Sequence, residues 1–311
     1  MPFISIVTPC YNEEENIEEL YHQIKSLFKN FSGYNYEHIF IDNASTDNTV
    51  PILKKIAKED KNVKIIVNAR NFGHIRSPYY ALLQARGDAV INIAADLQDP
   101  PSLILEFIKK WEAGYKIVVG VKKISKESYL MFRIRKLYYK LLNFLSEIEL
   151  IENFTGFGLY DRKIIEILKK FDDPYPYFRG LICEIGFEKA KIEYVQPRRK
   201  KGESKNNFYT LYDIAMLGII KHSKIPLRIA TILGFSFSII SFLIALGYFI
   251  YKLLFWERFS VGIAPIVIGG FFIASIQLFF LGIIGEYVGF MYTHVLKKPL
   301  VIEKERINFD E

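Results

Sequence analysis

Three polar clusters punctuate the N-terminal third of the chain: Thr8-Pro-Cys-Tyr-Asn-Glu-Glu14, Ile41-Asp-Asn-Ala-Ser-Thr-Asp47 and Ala94-Ala-Asp-Leu-Gln-Asp-Pro-Pro101. Carboxylates, carboxamides and an aromatic ring in such groups match the needs of a sugar carried on a nucleoside diphosphate. That ligand asks for a carboxylate on its base or ribose, a flat side chain against the base, and oxygen ligands for a divalent ion on the diphosphate. Asp42, Tyr11 and Asp96 are candidates for these tasks in turn. Each cluster also has a plainer reading, with Asn12 and Asp47 capping helices and Asp96 forming a turn ahead of Pro100. The coincidence of all three favours a shared site.

The elements around the clusters say where they sit. A β-branched run, Phe3 to Thr8, precedes a stretch with Ile17, Leu20, Ile24 and Leu27 at helical spacing. The unit recurs as a strand at Tyr36 to Ile41 with a helix at Asn48 to Ala57, then a strand at Val63 to Val67 with a helix ending near Arg86. A strand at Ala89 to Ile93, a helix carrying Leu103, Phe107 and Trp111, and a strand at Tyr115 to Val119 follow. This alternation predicts an α/β fold, a mostly parallel sheet with flanking helices, whose ligand site lies beyond the carboxyl ends of the strands. Each cluster stands at such an end.

From Ile225 onward charges nearly vanish over two stretches, Leu227 to Phe255 and Val261 to Tyr292, each longer than the ~20 residues that cross a bilayer. The short connection Trp256-Glu-Arg-Phe-Ser260 makes them a transmembrane hairpin. Lys221, Lys224, Arg228, Lys297 and Lys298 outside it, against Lys252 and Arg258 near its turn, place both termini in the cytoplasm. Gln277 and Glu286 fall in or near the second span, the latter in an interfacial or helix-pairing position. Two cysteines, Cys10 and Cys183, and a start that runs directly into a strand without signal-peptide features agree with a reducing compartment.

Residues 126–145 alternate aromatic and basic side chains, which suits either an interfacial helix in a headgroup layer or a helix packed on the domain. A second amphipathic segment spans 206–226. The domain plan is therefore 1–205, a cytoplasmic catalytic or binding domain; 206–226, juxtamembrane; 227–292, two transmembrane helices; and 293–311, a cytoplasmic tail. The net charge of +7 fits phosphate-bearing partners or anionic lipid. The basic run Arg198-Arg-Lys-Lys201, just ahead of the membrane segments, reads as phosphate or headgroup binding in preference to nucleic acid. His74 has two open readings, donor contact or a loop histidine bonded to backbone, and no second histidine or cysteine gives metal-ligand spacing.

Tyr11-Asn-Glu-Glu-Glu-Asn16, Asp42-Asn-Ala-Ser-Thr-Asp47, Arg70-Asn-Phe-Gly-His74, Asp96-Leu-Gln-Asp-Pro-Pro101, Phe178-Arg-Gly-Leu181 and Gly202-Glu-Ser-Lys205 occur in that order. On these motifs the chain resembles the inverting GT-A glycosyltransferases of family 2, in the polyprenyl-phosphate branch that holds dolichol-phosphate mannose synthases and bactoprenol-phosphate glucosyltransferases. The resemblance runs from the first strand through both terminal helices. It implies a Rossmann-like GT-A domain and a nucleotide-sugar site, UDP- or GDP-linked, on Pro9, Tyr11, Asn12, Glu13, Asp42, Ala95 and Asp96. It implies a divalent cation, Mg or Mn, on Asp96 and Gln98, phosphate contacts from Arg199 and Lys205, and catalytic roles for Asp96, Gln98 and Lys205. A polyprenyl phosphate, undecaprenyl or dolichyl, would meet Lys122 or Lys123 and Arg133 or Arg135.

Two departures bear on mechanism. The family's Asp-x-Asp has Ala94 in its first place, so the cation would rest on Asp96, Gln98, donor phosphates and water, with a weakened site. Relatives often carry an aspartate near Gly156, absent from Asn153-Phe-Thr-Gly-Phe-Gly-Leu-Tyr-Asp161. A hydroxyl acceptor needs a base to take its proton, whereas a lipid phosphate is already ionised, so the loss favours a phosphate acceptor. The expected function is inverting transfer of a sugar to a polyprenyl phosphate at the cytoplasmic membrane face. The alternatives are transfer to another membrane-bound acceptor, or a non-catalytic nucleotide-binding scaffold. A homo-oligomer is left open.

Overall fold

The β-branched runs form strands that are buried on both faces, which explains why they read as near-continuous apolar segments. The computed structural model describes residues 1–31, 33–124, 150–197, 213, 216–221, 223–255 and 263–309. Eight strands make one sheet: β1 (Phe3–Cys10), β2 (Asn35–Asp42), β3 (Val63–Asn68), β4 (Ala89–Asn92), β5 (Ile117–Ile124), β6 (Phe154–Asp161), β7 (Lys189–Val195) and β8 (Glu303–Ile307). Their order is β7-β5-β6-β4-β1-β2-β3-β8. Strands β4, β1, β2 and β3 are parallel, whereas β6 runs antiparallel between β4 and β5, and β8 antiparallel on β3. After β3 the chain crosses back over β1 to form β4, so the strand order reverses at β1, which opens a crevice beyond the ends of β1 and β4.

Helices α1 (Ile17–Asn30), α2 (Thr49–Glu59) and α4 (Ile104–Glu112) cover one face, where Leu20, Ile24, Leu53 and Phe107 pack on Ile4, Ile6 and Ile91. The other face carries α3 (Gly73–Gln84), α5 (Arg162–Lys169) and α6 (Phe178–Glu184), with Tyr79, Leu82, Ile164, Leu168 and Ile182 against Val7, Ile39 and Val90. Close packing fixes one glycine: a Cβ on Gly158 would come within 2.4 Å of the Val118 carbonyl, where β6 lies against β5.

Two long helices follow, α7 (Ile225–Leu254) and α8 (Ile263–Val295). Their segments Ile225–Tyr251 and Gly269–Val295, with mean hydropathy 2.4 and 1.8, are long and apolar enough to cross a membrane. Apolar side chains such as Phe235, Phe242 and Phe271 stand exposed along them. The segment after α8, expected only as a tail, returns to the sheet as β8, where Asn308 donates to the Ala57 and Val63 carbonyls at 2.7 and 2.8 Å. The chain on both sides of the helix pair thus rejoins the α/β domain. Observed strand β5 begins two residues later than expected and extends to Ile124.

Candidate functional site

Strands β1 and β2 are paired with Cys10 opposite Asp42, so the loops that leave them start side by side. Asn12, in the left-handed region at φ 54, stitches the two together. Its backbone N–H donates to Ser45 Oγ at 2.8 Å, and its side-chain carbonyl accepts from the Thr46 N–H at 2.8 Å. Asn12 therefore bridges loops and caps no helix. Asp47 does the capping work, accepting from the Thr49 N–H and hydroxyl at 3.0 and 2.6 Å at the head of α2. Glu13 supports the same turn: its carboxylate accepts from Asn16 Nδ2 at 2.7 Å, and its N–H donates to Thr49 Oγ1 at 2.8 Å. Asp42 is fully buried beneath these loops, accepting from the Ser45 N–H at 2.9 Å and from the Ser45 hydroxyl. Burial pushes its carboxyl above the usual range, and the Ser45 bonds oppose that shift.

Beyond β4 the side chains alternate. Ile93, Ala95 and Leu97 belong to the core, whereas Ala94, Asp96 and Gln98 line the crevice. Leu97, at φ 58, makes the turn, closed by the Gln98 N–H donating to Asp96 Oδ1 at 3.1 Å. Asp96 is thus both the turn former and a crevice residue. The crevice has a volume of about 650 Å³, and Pro9, Tyr11 and Lys122 also line it. Asn12, Glu13, Asp42 and Ala95 are not part of that lining. Lys123 lies apart, paired with Glu193 at 3.1 Å on the exposed surface. Arg133, Arg135, Arg199 and Lys205, like the interfacial helix at 126–145, lie outside the described residues.

Sequence reasoning passed over Asp99. It is buried, lines the crevice, and accepts from the Tyr194 hydroxyl at 2.6 Å. Burial raises its pKa, while Tyr194 and the nearby Lys122 charge lower it. The signal available was its place after the Ala94, Asp96, Gln98 alternation, hidden by the proline pair that follows. Asn43 was also passed over: it is buried and shapes the opposite rim by donating to Asn71 Oδ1 at 2.8 Å and accepting from the Phe72 N–H at 2.9 Å. On either side of Gly156, Thr155 and Phe157 line the crevice. Asp161 serves structure, bonded by Trp111 Nε1 at 2.7 Å and Lys116 at 3.0 Å and capping α5 through the Lys163 N–H at 3.0 Å. His74 and Arg179 also line the crevice.

No group of three His, Cys, Asp or Glu side chains that could hold a metal occurs among the described residues. Asp96 and Gln98 nonetheless offer a carboxylate and an amide oxygen to one space, which fits a hard cation that takes its remaining ligands from phosphates and water. Ala94 puts a methyl group on that same lining.

Comparison with known proteins agrees with this architecture. Residues 5–168 match the family described as glycosyl transferase family 2. An uncharacterized glycosyltransferase of Bacillus subtilis, YkcC, is 35% identical over 299 residues, covering 96% of this chain and 92% of its own. The bactoprenol glucosyl transferase of Shigella phage SfII is 33% identical over 303 residues, covering 97% of both chains. Among solved structures, glucosyl-3-phosphoglycerate synthase from Mycobacterium tuberculosis, in complex with Mn2+, UDP and phosphoglyceric acid, shares the fold. It superposes with a TM-score of 0.51 at 20% identity over 70% of this chain and 76% of that one.

Proposed function

The chain belongs to glycosyl transferase family 2 and is a glycosyltransferase, and we propose that its acceptor is a polyprenyl phosphate. In this reading it takes a sugar from a UDP- or GDP-linked donor, with inversion, at the cytoplasmic face of a membrane spanned by α7 and α8. Residues 1–205 carry the chemistry, 206–226 lie beside the membrane, and the tail lends β8 to the catalytic sheet. The observation that carries the reading is the meeting of Tyr11, Asp96, Gln98 and Lys122 in one crevice at the β1 strand-order reversal. Asp42 and the loops tied by Asn12 and Glu13 support the nucleotide end.

A divalent cation, Mg or Mn, on Asp96 and Gln98 would offset charge on the leaving diphosphate, with weakened affinity because Ala94 supplies no oxygen. Arg199 and Lys205 add positive charge to the same diphosphate. The phosphate acceptor suits Thr155 and Phe157, which put no carboxylate of their own on the crevice, while the Asp99 carboxylate beside them is engaged by the Tyr194 hydroxyl; a phosphate oxygen needs no base before it attacks. It is also supported by the bactoprenol glucosyl transferase relative.

The test is purified full-length protein in detergent with polyprenyl phosphate, a panel of labelled UDP and GDP sugars, and magnesium or manganese supplied or chelated. An organic-soluble labelled product from at least one donor is expected. No such product from any donor overturns the reading.

A further inference from the structure

Besides Lys122, the crevice has a second basic side chain, which the reading above leaves without a role. Arg179, on the first turn of α6, lines it, with its guanidinium 5.3 Å from the Tyr177 ring centre. Among the described residues no carboxylate pairs with it. His74, on the first turn of α3, lines the same rim. Burial and then the Arg179 charge hold the His74 imidazolium below its ordinary range, with Asp213 pulling the other way. A half-buried guanidinium without a counter-ion is costly, and its planar fork matches a phosphate.

The placement of this rim says which phosphate it suits. Tyr177 belongs to a buried cluster with Leu150, Cys183 and Leu217, against which Ile75 and Phe290 pack. Phe290 is on α8, and Leu217 comes shortly before α7. The rim bearing Arg179 and His74 is therefore fastened to α8 and to the segment that leads into α7. Asp96 and Asp99, which also line the crevice, repel an anion that arrives without a cation.

We infer that Arg179, with His74 beside it, receives the phosphate of the acceptor lipid, on the crevice wall held by the membrane helices. The inference rests on the transfer reading above for the identity of the acceptor, and on this geometry for the place where it binds. Arg179 is a binding residue on the acceptor side, additional to Lys122, which lines the same crevice and is expected to meet the same phosphate.

Equilibrium binding to the purified full-length protein tests it, with farnesyl phosphate, farnesol, inorganic phosphate, UDP and GDP as probes. Farnesyl phosphate is expected to bind the wild type and to lose at least about tenfold in affinity in Arg179→Ala, as loss of a charge-assisted contact implies. Arg179→Lys should fall between, because it keeps the charge and loses the fork. Affinity for the nucleoside diphosphate should stay unchanged in both variants, which also shows that they fold.

Unchanged farnesyl phosphate affinity in Arg179→Ala overturns the inference, and so does an equal loss of nucleoside diphosphate affinity, which would move Arg179 to the donor side. Inorganic phosphate binding as tightly as farnesyl phosphate would assign the subsite to a free phosphate and overturn the lipid. Farnesyl phosphate that binds through Arg179, in a protein that gives no lipid product from any labelled donor, leaves the subsite standing and removes the transfer reading.

Discussion

The two walls of the crevice are held by different forces. The donor wall is a web of hydrogen bonds between neighbouring strand ends, with Asn12, Ser45, Thr46, Asp47 and Thr49 satisfying one another and the backbone. The opposite wall is held by apolar packing around Tyr177 and by a buried charge cluster. Lys221 pairs with Asp173, whose other oxygen lies 3.3 Å from His294 at the end of α8. Tyr287 of α8 also donates to the Ser223 carbonyl at 2.7 Å. In the proposed reading the difference is a division of labour: a polar frame would present the nucleotide while an apolar joint ties the other wall to the two apolar helices.

If the walls are independent, each can be broken alone. The largest effect is expected at the joint. Asp173→Ala leaves Lys221, 7% exposed and already depressed in pKa by burial, without its partner. The cost should be about 3–5 kcal/mol, read as a lower thermal midpoint in detergent, with nucleotide affinity of the folded protein unchanged. A parallel loss of nucleotide affinity would show that the walls are coupled.

Asp96→Ala comes next. It should cut turnover by about 10²–10³-fold, as removal of a group that steadies charge at a reacting centre does, and leave the thermal midpoint nearly unmoved because the side chain faces the crevice. Undiminished turnover would remove Asp96 from the site. Asn12→Ala unties the two loops, so about 1–2 kcal/mol of stability should go, together with a higher KM for the donor and an unaltered KM for the lipid. A change confined to the lipid KM would contradict the placement of Asn12.

The smallest effect is a pH dependence beneath the donor wall. His38 is fully buried, 2.9 Å from Thr8 Oγ1, and burial pushes its pKa down to about 3 from 6.5. Below about pH 6.5 the unfolded chain takes up a proton that the folded chain refuses until about pH 3, so stability is lost on acidification through that window. At pH 5.5 the loss should be about 1.4 kcal/mol, and the difference in thermal midpoint between pH 7 and about 5.5 should shrink in His38→Gln. An unchanged difference would place the acid sensitivity elsewhere.

The donor wall was legible because its residues lie in short contiguous clusters at strand ends, where chain order and spatial order coincide. Tyr11 and Asp96 could be assigned to one crevice from their clusters at strand ends, and Gln98 came in through the family resemblance. The anchor-side wall was not legible: Ile75, Tyr177, Leu217 and Phe290 meet only through tertiary packing, and nothing local marks them as neighbours. Three strands were also missed. Gly156 and Gly158 weaken the β6 pattern, and the charged run Glu303 to Arg306 hides β8, a short edge strand that pairs with β3. Strand β7 does alternate, with Ala190, Ile192 and Tyr194 buried, but it is only seven residues long and follows a helix of the same length.

The central claim is that this crevice joins a nucleotide sugar to a lipid phosphate. Its most direct measurement offers the purified protein polyprenyl phosphate and polyprenol at matched concentration with the same labelled donor. Label passing to the phosphate lipid alone, and lost in Asp96→Ala, is the predicted result. Equal transfer to polyprenol, or label released only as free sugar, would contradict it.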